Sequence, residues 1–148
     1  MTDASPALPG PAAFVHPLPH ALPDDANTRL ALFAIRRLGA HGLNDAHVAH
    51  AFVTRFGEGF RRPLVLMRAL MHELAATATQ PIGIAPCCCP RATPSEATLL
   101  TVLTRAASAP CTAWVLLSDQ LGTRDVGAVL ACAEAVGAAF ADAGCPLS

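Results

Sequence analysis

The stretch whose reading decides the fold is TPSEATLLTVLTRA, residues 93–106. Thr93 is a favoured residue just before a helix, and Pro94 suits the first helical position because its missing N–H would be unpaired there anyway. Glu96 stands three residues after Thr93, so each side chain can accept from the other's backbone N–H, a capping box. Leu99, Val102, Leu103 and Ala106 then recur at spacings of three and four, which lines them along one helical face. A helix with a sharp start and one buried side is predicted here.

The same pattern recurs on both sides. Upstream, Pro63 opens a third helix in which Leu64, Met67, Leu70, Met71 and Leu74 form the inward face, with Arg68 and Glu73 off it. Before it, a first helix is expected from Asp24 or Asp25 to Leu38, stopped by Gly39. A second is capped by Asn44, helped by Asp45 and by a Leu43–Val48 staple, with Val48, Phe52 and Phe56 inward and Gly57 and Gly59 ending it. Downstream, a fifth helix begins near Pro110 and stops at Gly122 with Trp114, Leu117 and Leu121 inward. A sixth starts near Thr123, buries Val126, Val129, Ala133, Val136 and Phe140, and closes at Gly144. Ile82 and Ile84 hint at one extended segment with no partner strand in view. These elements predict an all-α fold, a compact five- or six-helix bundle.

Residues 1–23 hold six prolines and read as a Pro-rich N-terminal arm, with residues 24–148 as the helical domain. Phe14, Val15, Leu18 and Leu22 are the residues with which the arm would lie on the domain. The chain has 148 residues, within the size of one domain. Only 14% of them are charged, against about 25% in a typical soluble protein. Net charge is −1, so repulsion between copies is weak and self-association is expected.

All ten basic residues are arginine. Seven lie within residues 29–68, whereas residues 93–148 hold five acids against Arg105 and Arg124. Halves of opposite sign can attract within one fold or between protomers. The start of the chain has no basic, long-apolar leader, and residues 64–86 are broken by Arg68, His72 and Glu73, so the expectation is a cytoplasmic protein without membrane contact. The six cysteines then read as reduced thiols.

One feature looks chemical: Pro86-Cys87-Cys88-Cys89-Pro90. The prolines bias Ala85 and Cys89 to extended backbone, where Cys87 and Cys89 share one side and Cys88 faces the other. Cys87, Cys88 and Cys89 are candidate metal ligands. Thiolates suit zinc, copper(I) or an iron–sulfur cluster, though the spaced pairs typical of structural zinc are missing. No cofactor is expected if the cysteines serve as small apolar packing residues instead. Arg91, or Arg61 and Arg62 if close, would make a thiol there more reactive.

Arg61 and Arg62 precede a helix N-terminus and are candidates for binding an anion or a partner. His47 and His50 share a helical face, but no Glu-x-x-His pair and no His-Glu-x-x-His motif accompanies them. Residues 34–56 can be written as helix–turn–helix, with Arg36, Arg37, Arg55, Arg61 and Arg62 as phosphate contacts. Yet the second helix opens on Asp45-Ala46-His47 rather than on base-reading side chains, so nucleic acid is a weak third reading. No serine-hydrolase elbow or phosphate-binding loop occurs.

At Phe60-Arg61-Arg62-Pro63-Leu64 and Ile84-Ala85-Pro86-Cys87-Cys88-Cys89 the chain resembles a family of small, Ala-rich bacterial proteins of unknown function that carry a similar Arg-Arg-Pro helix start and cysteine run. The resemblance spans residues 16–145 and implies an all-helical fold, with no activity attached to it. Function therefore rests on two expectations of different class. One is a non-catalytic helical interaction or assembly module with an unknown protein partner. The other is a thiol-based metal-binding or redox-responsive protein.

Overall fold

The computed structural model describes residues 18–148. Within them lie six α-helices: α1 Ala26–His41, α2 Ala46–Phe56, α3 Arg61–Thr77, α4 Pro94–Arg105, α5 Pro110–Leu121 and α6 Gly127–Asp142. A 3₁₀ turn, Gly57–Phe60, joins α2 to α3. Two short strands, β1 His20–Ala21 and β2 Arg91–Ala92, pair antiparallel with His20 opposite Ala92. The expected all-α bundle is the fold.

The inward faces follow the spacing of the apolar residues. Leu64, Met67, Leu70, Met71 and Leu74 of α3 are all buried, as are Leu99, Val102 and Leu103 of α4 and Val129, Ala133, Val136 and Phe140 of α6. α3 packs along α6, and α4 packs against α5 and α6. α1 lies across α2, α3 and α4. At the α2–α6 contact Phe52, Phe56 and Phe140 form an aromatic cluster, with Phe56 and Phe140 edge-to-face at 5.0 Å between centroids, a favoured ring geometry.

Several boundaries differ from expectation for local reasons. α1 does not stop at Gly39 but at Gly42, which has φ +99° and whose N–H donates to the Leu38 carbonyl. Gly39 lies instead under a loop side chain: a Cβ there would come within 2.8 Å of Ile84 Cδ1. α2 is capped by Asp45, not Asn44, through bonds to the His47 and Val48 amides. α3 begins at Arg61, with Pro63 still in its first turn, and α6 begins at Gly127, after Val126.

The capping box of α4 forms as read, with Thr93 and Glu96 exchanging bonds. Trp114 does not point inward. Ala113, Leu117 and Leu121, four apart, take the buried face of α5 and leave Trp114 40% exposed. The extended segment pairs after all, but at Arg91–Ala92 rather than at Ile82 and Ile84, and its partner strand comes from the arm. Leu22 of the arm packs on the core, while Phe14 and Val15 lie outside the described residues.

Candidate functional site

The cysteines sit in the loop between α3 and α4. The Cys89 N–H donates to the Pro86 carbonyl at 3.0 Å, closing a turn with Cys87 and Cys88 at its corners. This replaces the expected extended run: the prolines orient the ends, and one backbone bond reverses the chain between them. Cys87 and Cys88 are exposed and Cys89 is half-buried, and none is in a disulfide. Among the described residues no group of three or more Cys, His, Asp or Glu side chains is placed to hold a metal ion. Cys111 is exposed on α5 and Cys145 is buried. Burial, with Glu73 nearby, pushes the half-buried Cys132 thiol above its ordinary pKa.

Beneath the turn lies an ion pair that local sequence reasoning did not find. Arg36 of α1 meets Glu96 of α4 through two parallel bonds, Nε to Oε1 and Nη2 to Oε2, both 2.9 Å. Their side chains are 3% and 0% exposed. The remaining capacity of both groups goes to the loop. Arg36 donates from Nη1 to the Cys89 carbonyl at 2.9 Å and from Nη2 to the Arg91 carbonyl at 2.7 Å. Glu96 accepts from the Ala85 N–H at 2.8 Å and the Thr93 N–H at 2.9 Å. Thr93 Oγ1 in turn donates to the Gly83 carbonyl at 2.6 Å. A buried pair survives desolvation only when its other donors and acceptors are satisfied, and the loop backbone supplies that here.

Burial alone would raise the Glu96 carboxyl pKa; the bonds from Arg36, Thr93 and Ala85 outweigh it and hold the group below the ordinary value. The same bond to Glu96 raises the Arg36 guanidinium. The clue in the sequence is that Arg36 stands four residues after buried Leu32, on the inward side of α1. Glu96 had been accounted for by its capping role, which it fills as well.

The turn borders two hollows. One, of about 430 Å³, is lined by Arg36, Arg37, His41, Ile84, Pro86 and Cys87 among others. It adjoins an apolar trough of about 400 Å³ between α1 and α3, lined by Leu38, Leu43, Met71, Leu74, Ile82 and Ile84. Ile84 belongs to both and rests over Gly39. Arg37 is tied by bonds of 3.2 and 2.6 Å to Asp45, which lowers the Asp45 pKa, and its Nη2 lies 2.8 Å from His47 Nδ1. The second, smaller hollow places Cys87 with Arg29, Arg36, Leu22 and Phe33.

Arg61 and Arg62 are exposed at the start of α3, and it is Arg36, not they, that bonds to the cysteine turn. Arg62 pairs with Asp142 of α6 at 2.6 Å on the surface. Arg55 donates to Asn27 Oδ1. Of the five arginines considered for nucleic acid, Arg36, Arg37, Arg55 and Arg62 thus have side-chain acceptors, and buried Arg36 has no access to a phosphate. His47 and His50 remain on exposed positions of α2, and His72 lines the apolar trough.

A second surface stands out on α5 and α6. Pro110, Cys111, Trp114 and Val115 of α5 and Leu130 of α6 line an open hollow of about 350 Å³ with no polar lining. Val115 is 65% exposed beside Trp114. No helix is long and apolar enough to cross a membrane, among the described residues.

The fold and these sites define a class: a small helical bundle that holds a thiol-bearing turn on a buried arginine–glutamate clamp. Residues 14–138 match the model of a family of unknown function, DUF6628, and the chain belongs to that family. No curated protein and no solved structure matches it.

Proposed function

We propose that this protein is a non-catalytic helical interaction module whose first partner is a second copy of itself, met through the α5–α6 face. The observation that carries the reading is the exposed pair Trp114 and Val115 around an apolar hollow. Tryptophan is the residue type most enriched among interface anchors. A two-fold dimer must bury the same patch on both copies. This patch supplies both a part-exposed indole and an apolar hollow, and no polar group in it demands a dissimilar partner. A net charge of −1 leaves little repulsion to overcome.

Because Trp114 is the chain's single tryptophan, its fluorescence reads this face directly. Dilution should shift the emission to longer wavelength as light-scattering mass falls from dimer to monomer. Trp114→Glu should be monomeric at every concentration, with unchanged helical circular dichroism. A native protein that stays monomeric at its highest soluble concentration would overturn the reading.

The clamp favours a second reading, that the cysteine turn is a thiol element open to a soft metal or to oxidation. The bundle's fully buried ion pair is spent on holding the turn while leaving Cys87 and Cys88 in solvent. Elemental analysis of tag-free protein purified without oxygen, beside a Cys87/Cys88/Cys89→Ser triple variant, tests the metal form of it. Near-stoichiometric zinc, copper or iron lost in the folded variant is the supporting result.

A further inference from the structure

We infer that Cys87 is a site of mixed-disulfide formation with small disulfides that carry carboxylates. The inference rests on the second reading above, that the turn is a thiol element, and adds which sulfur reacts and with what class of reagent. Three observations converge on Cys87. It is exposed. It is the cysteine of the turn that lines both neighbouring hollows, so a reagent lodged in either meets its sulfur. And the side chains around those hollows are cationic.

That cationic surround is not fully compensated. Glu96 offsets Arg36 and Asp45 offsets Arg37. The Arg29 side chain, which lines the smaller hollow beside Cys87, donates to the Pro23 carbonyl and is in no ion pair among the described residues. A backbone carbonyl satisfies a guanidinium without cancelling its charge. The smaller hollow therefore favours an anion, and a charged concave site raises the encounter rate of an oppositely charged reagent.

The exchange itself is simple. Cys87 gives its proton to solvent, and its sulfur attacks one sulfur of R–S–S–R. A Cys87–S–S–R bond forms, the R–S–S–R bond breaks, and R–S⁻ leaves and takes up a proton. The electron pair of the broken S–S bond leaves with R–S⁻: the Cys87 sulfur is oxidised to the disulfide level, the departing sulfur is reduced to the thiol level and the retained sulfur is unchanged, so the small disulfide is the oxidant. Onward closure to Cys88 is disfavoured, since adjacent Cα atoms lie about 3.8 Å apart, below the roughly 4.4–6.8 Å that unstrained disulfides span. The adduct, rather than a Cys87–Cys88 bond, is the stable product, and its carboxylate stays beside Arg29.

The test compares two reagents on the full native chain, with peptide mass mapping at short times. One is the anionic aromatic disulfide 5,5′-dithiobis(2-nitrobenzoate) and the other is cationic cystamine. Cys111 is the internal reference, being exposed but set among apolar side chains. With the anionic reagent at low salt, Cys87 should be modified about tenfold faster than Cys111, and high salt should remove most of that advantage. With cystamine the advantage should vanish. An Arg29→Gln variant, checked for an unchanged unfolding midpoint, should lose the preference for the anionic reagent.

Equal rates at Cys87 and Cys111 with the anionic reagent, while Cys88 or Cys89 reacts readily, would overturn this inference and leave the thiol-element reading standing. Inertness of all three cysteines in the turn would overturn both. A fast Cys87 whose rate ignores salt and reagent charge would overturn the proposed selectivity for anions.

Discussion

Among the described residues two ion pairs join the arginine-rich first half of the chain to the acidic second half, and they are unlike in nearly every respect except chemistry. Arg62–Asp142 has the shorter contact, 2.6 Å, with side chains 57% and 64% exposed. Arg36–Glu96 is longer at 2.9 Å, with side chains 3% and 0% exposed. The surface pair has one bond, screened by water. The buried pair has two, and four more link it to the backbone at Ala85, Cys89, Arg91 and Thr93. Separation does not rank the two. What ranks them is what each group is left with when its partner is removed, and for a buried charge that is two backbone bonds with neither water nor a counter-charge.

Breaking the buried pair should have the largest effect. Arg36→Met leaves Glu96 buried without its guanidinium and the Cys89 and Arg91 carbonyls without a donor. Chemical denaturation should show a loss of about 3–5 kcal/mol. Acid sharpens the same contrast. Because the folded Glu96 carboxyl lies below its ordinary 4.5, its contribution is fully present above that pH and is lost as pH falls through the folded value. In Arg36→Met, burial raises the carboxyl instead, so the penalty is felt at neutral pH and relieved by protonation. The gap between native and variant urea midpoints should therefore narrow from about pH 7 to about pH 3.

A smaller effect is expected one turn along α1. Gly39→Ala would gain helix propensity, but its Cβ meets Ile84 Cδ1 at 2.8 Å. Ile84 is half-buried beside two hollows and its side-chain end can shift, so overpacking should offset much of the gain, for a net change within about 1 kcal/mol by thermal or urea unfolding. The effect should be smallest at the surface, where Arg62→Ala and Asp142→Asn should each shift stability by no more than about 0.5 kcal/mol. A loss there as large as that of Arg36→Met would break the comparison.

These contrasts also mark how far the sequence could be read. Helix faces were legible because burial repeats every three or four residues, and Leu64, Met67, Leu70, Met71 and Leu74 answered to that rule. The Thr93–Glu96 box was legible because capping is a three-residue affair. The bond from Glu96 to Arg36 spans 60 residues, and no local pattern carries it. Gly39 shows the same limit: next to a run of apolar residues it reads as a stop, yet what it accommodates is Ile84 from a distant loop. Trp114 misled for another reason. It stands three residues before Leu117 and seven before Leu121, a spacing that also fits an inward face, but Ala113, four before Leu117, takes that place. The reversal at Pro86–Cys89 depended on one backbone bond that side-chain patterning does not report.

The clamp has a consequence for how the loop moves. Loops ordinarily exchange their amide hydrogens through small openings that leave the rest of the molecule intact. The Ala85 and Thr93 amides resist this: each donates to the buried Glu96 carboxylate, so opening either one strips a bond from a charge that water does not reach. Their exchange is tied to loosening of the clamp. The Gly83 amide, bonded only to the Ser95 hydroxyl near the surface, is free of that constraint. In the time domain this connecting segment has a slow interior and a fast edge, and the cysteine turn rides on the slow part.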